Sequence, residues 1–251
     1  MSQLLNQLTT NNLNNKKAFA VLIDPDQNET TVLNIAQSCQ KNQVDFVFVG
    51  GSILTNGNLK KTLEIIKNVY SNPVYIFPGN EMMIDPLADG ILLLSLISGR
   101  NPEFLIGKHV IAAPSLALSN LDVLSTAYLL IDGGKETSVS YMSNTKPIPS
   151  DKPNIAAATA LAGKLIGMSC VYLDAGSGAL NPVNPTLAQA VKKASQLPLI
   201  IGGGIKSKST ANALYKAGAD LLVIGNGTEN NTNLIQELSE VRNSFSQKVE
   251  I

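Results

Sequence analysis

Tryptophan is absent from this chain of 251 residues, histidine occurs once and cysteine twice. A single histidine, His109, cannot build a His/Cys metal cage and leaves no Ser–His–Asp triad to look for. Its place just before the apolar run Val110-Ile111-Ala112-Ala113 argues against a chemical role. Cys39 and Cys170 lie far apart and read as small buried hydrophobes. No apolar stretch approaches the roughly 20 residues of a membrane span. Residues 1–17 are polar and Asn-rich, without the apolar core of a signal peptide, and are expected to be a helical lead-in. Basic and acidic residues balance at 19 each, which argues against a nucleic-acid partner or a polybasic membrane anchor. The expectation is a soluble, reduced, cytoplasmic protein.

What is present is a repeat of one pattern: a short β-branched run, a glycine or polar turn, then an amphipathic stretch. The runs are residues 19–23, 46–49, 74–77, 91–96, 128–131, 170–173, 199–201 and 221–224. Helical spacing follows at 30–41, 59–69, 155–165, 186–195, 209–217 and 233–245, and helix is expected somewhere within 99–122. The connection 81–89 is short and holds Pro86, a poor place for a helix, so the third helix is expected to be missing or degenerate. Residues 135–153 are polar and proline-interrupted, the longest candidate loop or lid. Runs this uniformly apolar suit a parallel sheet buried on both faces. Eight of them, with no linker between domains, predict a single (β/α)8 TIM barrel spanning residues 1–251. A doubly wound sheet is the runner-up, weakened because no G-x-G-x-x-G opens the first helix.

In such a barrel the chemistry sits at the C-terminal ends of the strands. The stretch Tyr172-Leu173-Asp174-Ala175-Gly176-Ser177-Gly178 leaves its strand with a carboxylate and turns through two glycines. Gly202-Gly203-Gly204 and Gly225-Asn226-Gly227 end the last two strands. Bare N–H groups there, beside a helix N-terminus, suit a phosphate dianion, and Ser207 and Ser209 are candidates to cap that helix. Tight turns alone are the competing reading of each glycine cluster. Asp24, followed by Pro25, could bind Mg²⁺, a hard cation that often bridges to substrate phosphates; Asp26 fits a helix cap or structural role at least as well. Asp174 is the candidate base, because burial near a bound phosphate raises a carboxylate's pKa. No lysine lies in any predicted strand, which disfavours Schiff-base aldolase chemistry.

Taken together, Leu22-Ile23-Asp24-Pro25-Asp26, Val49-Gly50-Gly51-Ser52, Phe77-Pro78-Gly79-Asn80, Tyr172 to Ala179, Gly202-Gly203-Gly204-Ile205 and Gly225-Asn226 resemble geranylgeranylglyceryl phosphate synthases, a group with archaeal and some bacterial members. The resemblance covers nearly the whole chain, in the right order. It implies a modified barrel that has lost its third helix. It implies Mg²⁺-dependent transfer of a prenyl group from geranylgeranyl diphosphate to the C3 hydroxyl of sn-glycerol 1-phosphate. By that pattern Asp24 and Ser52 would bind Mg²⁺, while Tyr172, Leu173, Asp174, Ala175, Gly176, Ser177 and Gly178, with Gly203, Gly204, Gly225 and Asn226, would bind glycerol phosphate. Family members often carry Glu at the position of Asp174, so the base here is one methylene shorter. An apolar groove for the isoprenoid is expected from strands two to four and from residues 93–97. Members often associate, and 99–121 could supply a contact face of a homo-oligomer. A phosphosugar isomerase or lyase on the same barrel is the enzymatic alternative; a non-catalytic phosphometabolite-binding protein is the other.

Overall fold

In a computed structural model describing residues 2–225 and 233–246, eight parallel strands pair in sequence order and close into a barrel. They are β1 (Ala18–Ile23), β2 (Phe46–Gly50), β3 (Val74–Phe77), β4 (Gly90–Leu96), β5 (Asp122–Leu130), β6 (Cys170–Asp174), β7 (Leu199–Gly202) and β8 (Leu221–Ile224). The helices are α1 (Gln3–Leu13), α2 (Glu29–Lys41), α3 (Leu59–Val69), α4 (Lys108–Leu118), α5 (Ser138–Ser143), α6 (Pro153–Leu165), α7 (Pro185–Ser195), α8 (Lys208–Lys216) and α9 (Asn233–Ser246). A π-helical turn, Glu103–Gly107, leads into α4. Between β3 and β4 the chain makes turns only, so the barrel lacks its third outer helix, as expected.

Alternation along each strand divides two cores. Phe46, Phe48, Tyr75, Phe77, Leu92, Tyr128, Tyr172 and Ile200 point inward and fill the barrel. Val47, Val49, Ile76, Leu129, Leu173 and Ile201 point outward, against the apolar faces of the surrounding helices. The lead-in helix α1 has a structural task. Its Leu4 and Leu8 are fully buried with Ala18, Phe46, Phe48, Tyr75 and Leu221, so it plugs the end where the strands begin. Asp122 fixes the plug by accepting hydrogen bonds from Ser2 Oγ and Gln3 N, both 2.7 Å, and from the Tyr75 hydroxyl. With that end filled by α1, the cavity lined by the described residues lies at the opposite, C-terminal rim.

Two boundaries differ from the sequence reading. β5 starts at Asp122, not at Tyr128, and stops at Leu130; Ile131 instead makes an isolated parallel bridge with Ile148. The early half of β5 was hidden by its polar residues, which the fold uses locally: Asp122 anchors α1, and Thr126 Oγ donates to Leu124 O at 2.9 Å. The expected loop 135–153 contains α5, opened by a reciprocal Thr137–Ser140 capping box.

Candidate active site

At the C-terminal rim the strand ends surround one cavity of about 320 Å³. Its polar half is built by β6, β7 and β8. β6 pairs Asp174 with Gly202 of β7, which brings the two glycine turns side by side. Gly203, at φ +82°, passes so close that a β-carbon there would lie 2.7 Å from Gly176 N and 2.9 Å from Asp174 Oδ1. Only glycine permits both that conformation and that approach. Gly176, Ser177, Gly178, Gly203, Gly204 and Gly225 all line the cavity. Ser207 caps α8 by accepting from Thr210 N, whereas Ser209 bonds to the Ser207 hydroxyl and not to the helix backbone. The helix N-terminus therefore opens beside the glycine turn.

Asp174 sits at the inner wall of this cradle. Its Oδ1 accepts from Gly176 N at 2.7 Å and its Oδ2 from the Tyr128 hydroxyl at 2.5 Å. Burial pushes its pKa up from the ordinary value, and the two hydrogen bonds offset part of that rise. Each oxygen keeps a lone pair, so the carboxylate can still accept a proton. Burial, followed by the charge on Asp174, drives the Tyr128 hydroxyl well above its usual pKa, so it stays a donor. Tyr128, Tyr172 and Phe77 form an aromatic cluster with centroids 5.4–6.1 Å apart, and all three line the cavity.

Asp24, at the end of β1, and Ser52, after β2, line the same cavity. The two neighbouring aspartates have different surroundings. Asp26 accepts from Thr55 N, Thr55 Oγ, Asn56 N and Gly57 N, which tie down the loop before α3. The Thr55 hydroxyl above all, with these amides, holds its pKa at about 2. Asp26 is not the cap of α2; Asn28 is. Asp24 accepts one such bond, from Asp26 N at 2.9 Å, and partial burial raises its pKa. Gly51 follows β2 alongside it, where even an added β-carbon would make only ordinary contact with the carboxylate, at 3.4 Å.

The other half of the cavity is apolar. Ile84, Ile91, Leu92, Leu93, Leu94 and Leu96 face Phe104, Ala112 and Leu116. The groove runs where the third outer helix is missing, and α4 is its far wall. Lys108 Nζ stands 4.6 Å above the Phe104 ring and 3.4 Å from Glu81 Oε2, bridging α4 to the β3–β4 turn.

The sequence pattern of the PcrB family matches residues 11–242. The chain belongs to the PcrB family. It is 50% identical over 94% of its length to a geranylgeranylglyceryl phosphate synthase of Spirosoma linguale, covering 96% of that protein. It is 42% identical to the one of Pyrococcus furiosus, over 86% of each chain. The crystal structure of (S)-3-O-geranylgeranylglyceryl phosphate synthase from Thermoplasma acidophilum, in complex with substrate sn-glycerol-1-phosphate, superposes with a TM-score of 0.89 at 32% identity. That likeness covers 98% of this chain and all of the other.

In this PcrB-family chain the residues singled out by sequence do not all face the cavity. Leu173 and Ala175 belong to the outer core, so only their backbone could serve a ligand. Asn226 and Gly227 lie outside the described residues. The groove follows β4 as expected, but Ile97 does not line it. Sequence reasoning missed Tyr128, which a strand position disguises as core, and the groove face of α4. His109 also lines the cavity, with Nε2 3.0 Å from Leu94 O. Cys39 and Cys170 are free and buried, and the eight strands contain no lysine.

Proposed function

We propose that this protein joins the prenyl group of geranylgeranyl diphosphate to the C3 hydroxyl of sn-glycerol 1-phosphate, releasing diphosphate. The observation that carries the proposal is the two-sided cavity: a glycine cradle with a buried carboxylate continues into an apolar groove. A phosphosugar isomerase needs the first half only.

The cradle amides of Gly178, Gly203 and Gly204 hold the acceptor's phosphate, with Gly225 beside them; the Gly176 amide is committed to Asp174. Asp174, bound by Tyr128 and Gly176, takes the proton of the C3 hydroxyl as that oxygen attacks C1 of the prenyl group. The carbon–oxygen bond to diphosphate breaks, and the electron pair leaves with the diphosphate. Positive charge gathers on the allylic carbon meanwhile, and the rings of Phe77, Tyr128 and Tyr172 face such charge favourably. Fixing both reactants in one cavity accounts for much of the acceleration.

Among the described residues there is no cluster of three or more His, Cys, Asp or Glu side chains for a metal. Mg²⁺ does not need one, since it keeps several waters and uses one or two protein oxygens plus substrate phosphates. Asp24, partly buried and accepting one backbone hydrogen bond, and the Ser52 hydroxyl both line the cavity and fit that demand. When bound there, Mg²⁺ neutralises the diphosphate and makes it a better leaving group. Replacing Asp24 by Ala is expected to abolish Mg²⁺-dependent turnover while leaving glycerol phosphate affinity within about threefold of the parent. Calorimetry on the folded variant checks this, and equal loss of both would contradict the division of labour.

No helix among the described residues is long and apolar enough to cross a membrane. We propose further that the enzyme is a cytoplasmic homo-oligomer; exposed Val110, Ile111 and Leu118 on α4 support self-association. Sedimentation at micromolar concentration returning only single chains would sink that point. The activity itself is tested with radiolabelled geranylgeranyl diphosphate, sn-glycerol 1-phosphate and Mg²⁺. An extractable prenyl ether is expected; none with any prenyl chain length would overturn the proposal.

A further inference from the structure

The glycine turns offer hydrogen-bond donors but no full positive charge. A phosphomonoester near pH 7 carries close to two negative charges, and this cavity already holds the carboxylates of Asp24 and Asp174. Two lysines from neighbouring loops reach the Gly178–Ala179 turn of the cradle: Lys206, which lines the cavity, and Lys135, just outside its lining.

Lys135 lies in the loop after β5, which is fastened to the loop after β6. Leu180 N and Asn181 N both donate to Gly133 O at 3.0 Å. Thr137 packs on Gly176 so closely that a β-carbon there would lie 2.7 Å from its side chain. The fastening carries the Lys135 ammonium over Gly178, 3.5 Å from where a β-carbon would stand. Lys206 follows the β7 glycines and lines the cavity. Its Nζ donates to Ala179 O at 3.1 Å. That bond uses one of the three N–H groups of an ammonium. Neither lysine forms an ion pair among the described residues. Lys108, which lines the cavity with Lys206, is committed to Glu81 on the groove side.

We propose that Lys135 and Lys206 are phosphate-binding residues of the acceptor site, gripping the dianion at the Gly178–Ala179 turn. The inference rests on the acceptor reading above and extends it. The amides fix where the phosphate sits, and the two ammonium groups set how tightly a dianion is preferred over neutral glycerol. Flexible lysine stems allow both heads to swing onto the phosphate oxygens when it arrives. Both side chains are exposed, so removing them leaves the fold intact.

The test uses the full chain with Lys135→Ala, Lys206→Ala, the double variant, and Arg at each position. A charge-assisted hydrogen bond lost at each site raises KM for glycerol phosphate roughly tenfold, and about a hundredfold in the double variant. The expected kcat stays within about threefold and KM for the prenyl diphosphate is unchanged. Arg restores most of the loss. Calorimetric titration with inorganic phosphate follows the same order of variants. A double variant whose KM for glycerol phosphate matches the parent, or whose defect falls on kcat or on the donor's KM, overturns the inference alone. A parent protein that makes no ether and binds no inorganic phosphate overturns the acceptor reading and this inference with it.

Discussion

Asp174 is a carboxylate in a place that disfavours its charge. Burial raises its pKa, and the Tyr128 and Gly176 hydrogen bonds recover only part of the cost. Because the folded-state pKa lies above the unfolded one, the native state binds more protons between the two values. Stability contributed by this group is therefore full below the unfolded pKa and lost as pH rises through the folded pKa. Asn at position 174 can accept from Gly176 and donate to Tyr128, so it keeps the geometry without the charge. Asp174→Asn is expected to lower kcat by about 10²–10⁴ yet to raise Tm at pH 8, as read by calorimetry. Lower Tm with unchanged kcat would contradict the assignment. Tyr128→Phe removes a bond that lowers the Asp174 pKa, so the acid limb of the kcat/KM profile should move to higher pH. An unmoved limb would mean that the Tyr128 hydroxyl does not tune the base. The position of the aspartate was legible in the sequence because it ends an apolar run and leads straight into the Gly176-Ser177-Gly178 turn. Tyr128 was not, because a tyrosine in a strand carries no mark of which way its hydroxyl points.

Among elements, the β7 and β8 strand ends were readable because glycine clusters have few other uses there. The missing third helix was readable from a connection that was short and proline-bearing. α4 was not. It is apolar on two sides, with Val110, Ile111 and Leu118 exposed and Ala112 and Leu116 turned to the cavity, so periodicity gives no direction. The π-helical turn before it, a feature common near functional sites, leaves no clear trace in composition. Ala112 is the small residue in the groove wall. Ala112→Phe should raise KM for a 20-carbon donor at least tenfold more than for a 10-carbon donor, since only the longer chain needs the deep groove. Equal effects on both, in a steady-state comparison, would place the isoprenoid elsewhere.

At the level of the whole molecule, the barrel divides its ends between stability and chemistry. α1 seals one end with Leu4 and Leu8, and the other collects an acid from β1, an acid from β6, the glycine turns after β6 and β7, and Gly225 after β8. The fold was legible because a sheet buried on both faces must be written as eight apolar runs. The joining of cradle and groove into one space was not, since it depends on α4 crossing the gap left by a helix that is not there. The most direct test is a crystal structure with sn-glycerol 1-phosphate and a non-hydrolysable prenyl thiolodiphosphate. Expected are the phosphate on the Gly178, Gly203 and Gly204 amides, the C3 oxygen against Asp174, and the isoprenoid between β4 and α4. An acceptor bound away from Asp174, or a prenyl chain outside that groove, would contradict the proposed reaction.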